Sequence, residues 1–469
     1  MTSPPPCARY VSAACPNSTP PACSKQDALR SFGQYRVLGL LGRGGMASVY
    51  RVQRAGQPVR ALKLLRPRPE LAALLGAEEL RRRFLAEAQA LAGLRHPHLV
   101  RVREVQQDPP VFYVMDYFCQ SLDGLIGPCL RPEEPTRPLS LDLALDYAAQ
   151  TLSGLMALHQ AGIVHRDLKP ANLLLGDDGR VQIGDLGLSR LRGEARPAPP
   201  NLLVGSPDYA APEQVADAEA ADGRADLYSL GVSLHRMLCG RLPQPGIPAS
   251  QLNPDLGPAW DEFFARALAQ RPAGRFAEAG EMAAALQGLA ADWHERRQRV
   301  CDQAPVPPAG PLAAPLPRSQ PRRLPLAQAQ EALGLDGLWR PRAYWPRQFQ
   351  ALGAGTVRDP DAGLLWQQGG SPQPLTWDQA PAYVRALNLR GLAGRRDWRL
   401  PTAEELLTLL GPPGAHDFCG HQAFDPLPDR LWSADRATFR AAWYLSLTVG
   451  FVGRMDFSCH NSVRAVCRA

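Results

Sequence analysis

The stretch His165-Arg166-Asp167-Leu168-Lys169-Pro170-Ala171-Asn172 places an acid, an amine and an amide within a few residues of each other. Lys169 is one of only three lysines, although the 469-residue chain has 52 basic residues. Arginine carries a planar fork of donors, whereas lysine carries a compact charge on a flexible stem. Because arginine is the default cation of this chain, a lysine indicates a position that needs the compact ammonium.

A second lysine follows a glycine-rich loop. Lys63 ends the stretch Arg60-Ala61-Leu62-Lys63, and the loop before it runs from Gly42 to Tyr50 as Gly-Arg-Gly-Gly-Met-Ala-Ser-Val-Tyr. Glycines let a backbone approach a phosphate group closely, because no Cβ stands in the way. The loop and Lys63 therefore predict a phosphate-binding site. The third lysine, Lys25, lies in a Pro/Cys-rich leader and has no such context.

The pattern around these motifs changes from strands to helices along the chain. Short β-strands are predicted at Tyr35–Leu41, Ser48–Gln53 and Val59–Leu65. Helical spacing of apolar residues follows at Leu80–Leu94 and again at Leu141–Gln160, where Gly162 is a stop signal. Strands first and helices later predict an α+β protein with a small sheet lobe on a helical lobe.

With these motifs in this order, residues 34–291 resemble a bacterial protein kinase of the eukaryotic Ser/Thr type. The resemblance implies a bilobal kinase fold and transfer of the ATP γ-phosphate to Ser or Thr of proteins, including the chain itself. It implies ATP and Mg²⁺ (or Mn²⁺) as cofactors and protein substrates as partners. The alternative is a nucleotide-binding pseudokinase scaffold that works through a C-terminal binding domain.

The resemblance gives roles to individual residues. Lys63 would contact the α- and β-phosphates and pair with Glu87, for which Glu78 and Glu79 are rivals. Asp167 would accept the proton of the substrate hydroxyl or orient that hydroxyl, and Lys169 would neutralise the transferred phosphoryl group. The expected metal ligands are Asn172 and Asp185. The other residues expected around the nucleotide are Gly42, Gly44, Gly45, Val49, Ala61, Met115, Asp116 and Phe118.

Further positions support or depart from the family pattern. Asp226 and Arg275 resemble the buttresses of the helical lobe, and Arg275 would pair with Glu213. The third loop glycine is replaced by Ala47, and the metal-binding motif reads Asp185-Leu186-Gly187 with leucine for the usual phenylalanine. Neither change removes a chemical group that the reaction needs.

The activation segment has few hydroxyl groups. Between Asp185 and Pro212 they are Ser189, Ser206 and Tyr209. Phosphorylation orders such segments by adding an anion that arginine can bind, but the middle of this one has no acceptor. Two explanations stay open: the segment folds constitutively, or another domain controls it.

Residues 336–469 are rich in tryptophan and contain Trp398-Arg399-Leu400-Pro401, Leu431-Trp432-Ser433 and a closing Val463-Arg464-Ala465-Val466-Cys467-Arg468. With these motifs they resemble the Lcl C-terminal domain family, which is related to C-type-lectin-like and formylglycine-generating folds. The resemblance implies a ligand-binding module of α+β type. Thr376 with Gln379 and Thr402 with Glu405 have the form of capping boxes. Most tryptophans are expected in the core, with Trp443 and Tyr444 as candidates for a binding face. Cys459 and Cys467 are expected to be buried structural thiols rather than a copper site.

The predicted organisation has four parts. Residues 1–33 form a leader, 34–291 the kinase domain, 292–335 a Pro/Ala-rich linker and 336–469 the C-terminal domain. The evenly spaced Cys7, Cys15 and Cys23 of the leader are interpreted as part of a disordered tail, because metal sites usually use paired ligands.

Composition excludes several classes of function. The net charge of +7 is dispersed without blocks of like charge, so nucleic acid is not expected as a partner. The sequence has no apolar run long enough to predict a membrane span, and the leader lacks the features of a signal peptide. Ten cysteines in a chain of this length favour a reduced, cytoplasmic location over a disulfide framework. The ligand of the C-terminal domain is not identified by the sequence.

Overall fold

The structure is a computed structural model that describes residues 31–127, 134–185, 190–191, 208–216, 221–301, 316–344, 347–411 and 423–469. The leader cysteines, Leu186, Gly187, Ser189 and Ser206 lie outside these ranges, and so do the predictions made for them. Among the helices of these ranges, none has the length and apolar character that crossing a membrane requires.

The N-terminal lobe is a six-stranded antiparallel sheet with two helices. The strand order is β1-β2-β3-β4-β6-β5. Its aromatic side pairs Tyr35 and Tyr50 with Phe112 in one hydrophobic cluster. The elements are β1 (Ser31–Phe32), β2 (Tyr35–Arg43), β3 (Ala47–Gln53), β4 (Arg60–Leu65), α1 (Pro69–Leu75), α2 (Ala77–Gly93), β5 (Val102–Gln106) and β6 (Phe112–Asp116).

The second lobe is mainly helical. Its central helix, α4, is predicted at Leu141–Gln160 and observed with those bounds, because Ser140 caps its first turn and Gly162 follows its end. The elements are β7 (Gln120–Ser121), α3 (Leu122–Ile126), α4 (Leu141–Gln160), β8 (Ile163–Val164), β9 (Leu173–Leu175), β10 (Val181–Ile183), β11 (Arg190–Leu191), α5 (Pro212–Ala216), α6 (Gly223–Cys239), α7 (Ala249–Leu252), α8 (Pro258–Ala267) and α9 (Ala279–Cys301).

In its described residues, the C-terminal part has three small sheets and three α-helices. A four-stranded sheet has the order β12-β13-β14-β20, a three-stranded sheet the order β16-β17-β18, and β15 pairs with β19. The elements are α10 (Leu326–Ala332), β12 (Gln350–Gly353), β13 (Thr356–Asp359), β14 (Leu364–Gln367), β15 (Leu375–Thr376), α11 (Ala380–Arg390), α12 (Ala403–Leu407), β16 (Arg430–Arg436), β17 (Ala441–Ser446), β18 (Phe451–Asp456), β19 (His460–Asn461) and β20 (Val466–Arg468).

The predicted linker 292–335 is shorter in the structure. Helix α9 continues the kinase unit to Cys301. At the other end, Leu324, Ala329 and Leu335 are buried in the core of the C-terminal unit. The Pro-rich composition predicted an extended segment, but this core needs the apolar residues between the prolines. Residues 324–335 therefore pack with the C-terminal unit.

One of the two predicted capping boxes forms. Thr402 caps α12: its hydroxyl accepts from the Glu405 amide, while the Glu405 carboxylate accepts from the Thr402 amide. The box at Thr376 is wrong, because Thr376 lies in β15 and α11 begins only at Ala380. The Gln379 side chain accepts from the Thr376 amide at 3.0 Å, so only half of the predicted reciprocal pair is present.

The prediction of a binding face at Trp443 is also wrong. Trp443 is 1% exposed, stacks on Trp339 with ring centroids 5.5 Å apart, and donates its indole N–H to the Leu324 carbonyl at 2.9 Å. Tyr444 is 3% exposed, and its hydroxyl accepts from Gln120 of the helical lobe at 3.4 Å. Both side chains are therefore buried in contacts within the protein and do not form a binding face.

The C-terminal unit packs against both kinase lobes. On the sheet lobe, Arg51 pairs with Asp456 at 2.5 Å and Arg440 donates to the Leu38 carbonyl at 3.1 Å. On the helical lobe, the buried Arg137 donates to the Leu338 carbonyl at 2.8 Å and stacks over the Phe451 ring. One hydrophobic cluster contains side chains of both units.

Candidate active site

Lys63 lies at the centre of the cleft side of the sheet. It is 6% exposed, on β4, opposite Val49 of β3 and Tyr113 of β6. Its Nζ lies 2.7 Å from Glu87 Oε1 and 2.7 Å from Asp185 Oδ1. The rival acids are used elsewhere on α2, since Glu79 pairs with Arg82 and Arg83, and Glu78 with Arg81. Glu87 is thus the partner that the structure brings to Lys63.

The charges of this trio follow from its geometry. Burial alone lowers the pKa of Lys63, but Asp185 and Glu87 outweigh it and hold that pKa well above the ordinary value. The lysine charge in turn lowers the pKa of Asp185 to about 2. Burial raises the pKa of Glu87, whose Oε1 also accepts from the Tyr113 hydroxyl at 2.8 Å. At neutral pH the site therefore presents an ammonium next to an ionised Asp185.

The lysine of the opening motif, Lys169, lies beside Asp167. Lys169 Nζ lies 2.8 Å from Asp167 Oδ2. Asn172 donates its side-chain amide to the Asp167 carbonyl at 2.7 Å and to Asp167 Oδ2 at 3.2 Å. The three residues that the opening motif combined are therefore in mutual contact, and the carboxylate is held in one orientation.

A buried carboxylate fixes the loop that carries this group. Asp226 is fully buried and accepts from the backbone amides of His165 at 2.9 Å and Arg166 at 2.8 Å, and from His159 Nε2 at 2.8 Å. Arg166 has a φ of 67°, a conformation that is uncommon for a non-glycine residue. Burial alone raises the pKa of Asp226, but the hydrogen bonds from His159 and the loop amides outweigh it, and the pKa lies below its ordinary value.

The residues expected to hold a metal fit that role. Asn172 commits its amide nitrogen to Asp167, which leaves its amide oxygen for a hard cation. The backbone carbonyl of Asn172 accepts from the backbone amide of Gly184 at 2.9 Å, and this bond keeps Asn172 next to Asp185. An amide oxygen and an ionised carboxylate are oxygen ligands of the kind that Mg²⁺ prefers.

The glycine loop fits a phosphate group. Gly42, Gly44 and Gly45 do not have positive φ, and a Cβ at any of them would meet nothing closer than 3.6 Å. The fold itself therefore does not require glycine at these positions. Glycine at all three positions is what close approach of a phosphate to the backbone would require.

The other residues expected around the nucleotide lie on neighbouring strands or directly after them. Ala61 is buried opposite Met115, where β6 leads into the segment Asp116–Phe118. The Asp116 amide donates to the Arg101 carbonyl at 3.2 Å, and its carboxylate pairs with Arg60 and Arg103. The Asp116 amide is thus committed to the sheet and is not available to a base.

The predicted buttress of the helical lobe is present. Arg275 binds Glu213 through two parallel bonds of 2.7 Å each. Its side chain is fully buried and its guanidinium also donates to the Ala269 carbonyl at 2.8 Å. Bidentate pairs of this kind fix position as well as charge, so α5, at the end of the activation segment, is fastened to the lobe.

Two features of the site were missed from the sequence. Tyr113 holds Glu87, and its place opposite Lys63 follows from the pairing of β4 with β6 rather than from a sequence pattern. Cys119, directly after Asp116–Phe118, is bonded to Cys459 rather than leaving Cys459 as a free thiol. No sequence signal pairs cysteines that are 340 residues apart. Cys467 is a buried free thiol as predicted, and the described residues contain no cluster of His, Cys, Asp or Glu able to hold a metal as a closed cage.

Comparison with known proteins supports the two resemblances. The protein kinase domain family matches residues 35–255, and the Lcl C-terminal domain family matches residues 355–467. PknL of Mycobacterium tuberculosis, a Ser/Thr protein kinase, is 33% identical over 361 residues, which are 73% of this chain and 80% of PknL.

Two further relatives are longer than this chain. PknJ of Mycobacterium tuberculosis is 36% identical over 56% of this chain, and Pkn1 of Myxococcus xanthus is 33% identical over 62%. The matched parts are 47% of PknJ and 45% of Pkn1, so the chain spans about half the length of these relatives. The crystal structure of the PknI kinase domain of Mycobacterium tuberculosis is 31% identical, covers 56% of this chain and 98% of that domain, and has a TM-score of 0.43.

Proposed function

The chain belongs to the family of bacterial serine/threonine protein kinases, and on that basis we propose that it transfers the γ-phosphate of ATP to Ser and Thr hydroxyls of proteins, itself included. The observation that carries this proposal is the arrangement of Lys63 between Glu87 and Asp185 at 2.7 Å each. In this family the reaction needs positioning and charge stabilisation more than covalent chemistry from the enzyme.

The chain's own residues supply those two things. The glycine loop and Lys63 would hold the phosphates of ATP, and Asn172 and Asp185 would hold Mg²⁺ (or Mn²⁺), which supplies neutralising charge. Val49, Ala61, Met115 and the backbone up to Phe118 would enclose the base. Asp167 would accept or orient the substrate hydroxyl proton, while Lys169, 2.8 Å away, would neutralise the transferred group.

The C-terminal unit is proposed as a recognition module of C-type-lectin-like type for a ligand or a protein partner. Its match to the Lcl C-terminal domain family and its three small sheets with three helices support this. We also propose a cytoplasmic site of action, since the reaction consumes ATP. The domain limits 34–301 and 316–469 are part of the same proposal.

The test is autophosphorylation of the full chain with radiolabelled ATP and Mg²⁺ or Mn²⁺, followed by identification of the labelled amino acid. Asp167→Asn should lose activity by about 10²- to 10⁴-fold. Asp178→Asn, at an exposed acid that pairs with Arg180, is the matched control and should keep it. Nucleotide binding without any transfer would instead establish the scaffold alternative. Phosphoproteomics of cells with the intact chain or Asp167→Asn would then identify substrates.

A further inference from the structure

The Cys119–Cys459 bond joins the C-terminal unit to the segment between β6 and β7 that connects the two kinase lobes, here called the hinge. Cys119 lies between Phe118, the last of the nucleotide-facing residues, and β7. Cys459 lies in the turn between β18 and β19, and the two Cα atoms are 5.9 Å apart. Cys459 is buried, whereas Cys119 is half-buried, so a small thiol can reach the bond from the Cys119 side.

Polar contacts on both sides of this bond reach both lobes. Three residues before Cys459, Asp456 binds Arg51 of the sheet lobe at 2.5 Å. Directly after it, His460 binds Asp177 of the helical lobe at 3.1 Å. Arg430 binds the same Asp177 at 3.1 Å. We call this set of contacts, with the disulfide at its centre, the hinge seam.

The hinge seam without its disulfide is weak. Asp177 is 40% exposed and Asp456 is 25% exposed, and ion pairs of this exposure contribute about 0–1 kcal/mol each. A covalent bond changes this, because the surfaces around Cys119 and Cys459 cannot separate while it is closed. The bond therefore adds a covalent link at the hinge to the packing that already holds the C-terminal unit against both lobes.

Other described cysteines are unsuited to such chemistry. Cys239 and Cys467 are free, and burial raises the pKa of Cys239 to about 12 and that of Cys467 to about 11. A thiol must ionise to attack a disulfide, so both are inert near neutral pH. Among the cysteines whose side chains the structure describes, exchange chemistry is therefore confined to the Cys119–Cys459 pair.

We propose that Cys119 and Cys459 form a reversible thiol–disulfide exchange site that locks the C-terminal unit across the hinge and slows opening of the nucleotide cleft. The proposal rests on the kinase function and cytoplasmic location proposed above. Disulfides in cytosolic proteins, where they occur, are usually transient and catalytic or redox-sensing, which agrees with an exchangeable bond. A cleft that opens more slowly releases its nucleotide more slowly.

The oxidant that forms the bond from the two cysteine thiols is a low-molecular-weight disulfide. The thiolate of Cys119 attacks one sulfur of that disulfide, forming a mixed disulfide and releasing one thiolate. The thiolate of Cys459 then attacks the sulfur of Cys119, closing the bond and releasing the second thiolate. Two electrons pass to the oxidant, and the two protons lost by the cysteines reprotonate the released thiols. A dithiol reductant reverses both steps.

The experiment compares the full chain after treatment with glutathione disulfide and after treatment with dithiothreitol. Alkylation followed by mass spectrometry should find Cys119 and Cys459 protected only after oxidation. Release of a fluorescent ADP should be slower in the oxidised chain by about tenfold, a size typical of coupling between two sites of one protein. Hydrogen exchange of the peptides that contain Arg51 and Gln120 should be slower as well, and this readout needs no nucleotide.

Two variants separate the proposed bond from general oxidation. Cys459→Ser should behave as the reduced chain under both treatments. Cys467→Ser, at a buried free thiol of the same unit, should respond to oxidation as the wild type does. Because the wild type itself is compared in two states, the test stands even where a variant fails to fold.

The proposal is overturned if both cysteines are alkylated after oxidation. It is also overturned if the bond forms and neither nucleotide release nor hydrogen exchange changes. A chain that binds no nucleotide in either state contradicts the proposed kinase function instead. In that case, slower hydrogen exchange upon oxidation still supports the lock, and unchanged exchange overturns it.

Discussion

Lys63 occupies a position where the size of the cation matters as much as its charge. Its ammonium is 2.7 Å from two carboxylates and only 6% of the residue is exposed. A guanidinium is larger and planar, and it cannot place one compact charge between Glu87 and Asp185. We expect Lys63→Arg to reduce autophosphorylation by about 10²-fold or more, comparable with loss of an electrostatic catalytic group. Initial rates with radiolabelled ATP measure this.

The matched control is Lys25→Arg, because Lys25 is the one lysine outside both motifs. It should keep the wild-type rate. A Lys63→Arg enzyme with nearly normal activity would contradict the interpretation of the lysine distribution.

Asp226 supports the catalytic loop through three accepted hydrogen bonds. In Asp226→Asn an amide nitrogen would face donors, so we expect a loss of about 2–4 kcal/mol in unfolding free energy at pH 7. The folded pKa of Asp226 lies below its ordinary value, so the ionised form contributes stability above pH ~3.9 that is lost as the pH falls further, through the folded pKa. The difference between wild type and variant should persist at pH 5 and narrow below pH ~4.

Urea unfolding at pH 7, 5 and 3.5 measures both parts of this prediction. Asp222→Asn on the same helix is the control: Asp222 is its exposed N-cap, and asparagine caps about as well. Equal midpoints for the two variants at pH 7 would show that Asp226 is not a buttress.

At the residue scale, residues with a direct chemical role were easier to predict from the sequence than residues that hold them in position. Lys63, Glu87, Asp167 and Asn172 were predicted because they match the motifs of the protein kinase family that residues 34–291 resemble. Tyr113 was not, because a tyrosine on a strand has the same pattern whether it packs or donates. Its role depends on register across β4 and β6, which only the fold determines.

Among the elements, the two Thr-x-x-Glu/Gln segments provide an internal comparison. Thr402 is buried, accepts from the Glu405 amide at 3.2 Å and donates to the Arg318 carbonyl at 2.7 Å. We expect Thr402→Ala to lower the unfolding free energy by about 1–2 kcal/mol. Thr376→Ala, at a residue of β15, should cost less than about 0.5 kcal/mol. Denaturant midpoints of the two variants give the comparison, and similar losses would mean that the cap is not responsible.

The activation segment carries a second prediction at this scale. Because its middle has no hydroxyl group, its ordering should not need phosphorylation. We expect Ser189→Ala to keep most of the activity, measured as initial rates before and after phosphatase treatment. Ser206 is a poor test, since the resemblance places it on the substrate platform. Loss of activity in Ser189→Ala together with loss upon phosphatase treatment would refute the idea.

Element boundaries were predictable where local signals agreed with packing. Helix α4 begins and ends as expected, because Ser140, apolar spacing and Gly162 all indicate the same limits. Residues 316–335 were assigned to a linker, because their prolines outweighed the few apolar residues that enter the C-terminal core. That core also forms around Trp366 and Trp443, far along the chain, and composition within a window does not contain such information.

At the scale of the whole molecule, the kinase unit should fold and phosphorylate without the C-terminal unit. We expect a chain ending at residue 301 to keep nucleotide binding and autophosphorylation, with a changed basal rate or substrate choice. Its melting temperature should be lower, because the surface around Arg137 loses Phe451 and Leu338. A fragment that is insoluble or does not bind nucleotide would contradict independent folding. Identical rates and substrates for the fragment and the full chain would contradict a role of the C-terminal unit in regulation or docking.

The bond between Cys119 and Cys459 also makes the molecule a closed loop in mechanical terms. The ring spans 340 residues and encloses the helical lobe and most of the C-terminal unit, while the sheet lobe lies outside it. Pulled by its two ends, an oxidised chain can lengthen only by the residues outside the ring. Reduction would open the ring and let the residues inside it extend by a further length on the order of 1,100 Å. In force spectroscopy the sheet lobe would thus be the only kinase lobe free to unravel until a reductant opens the ring.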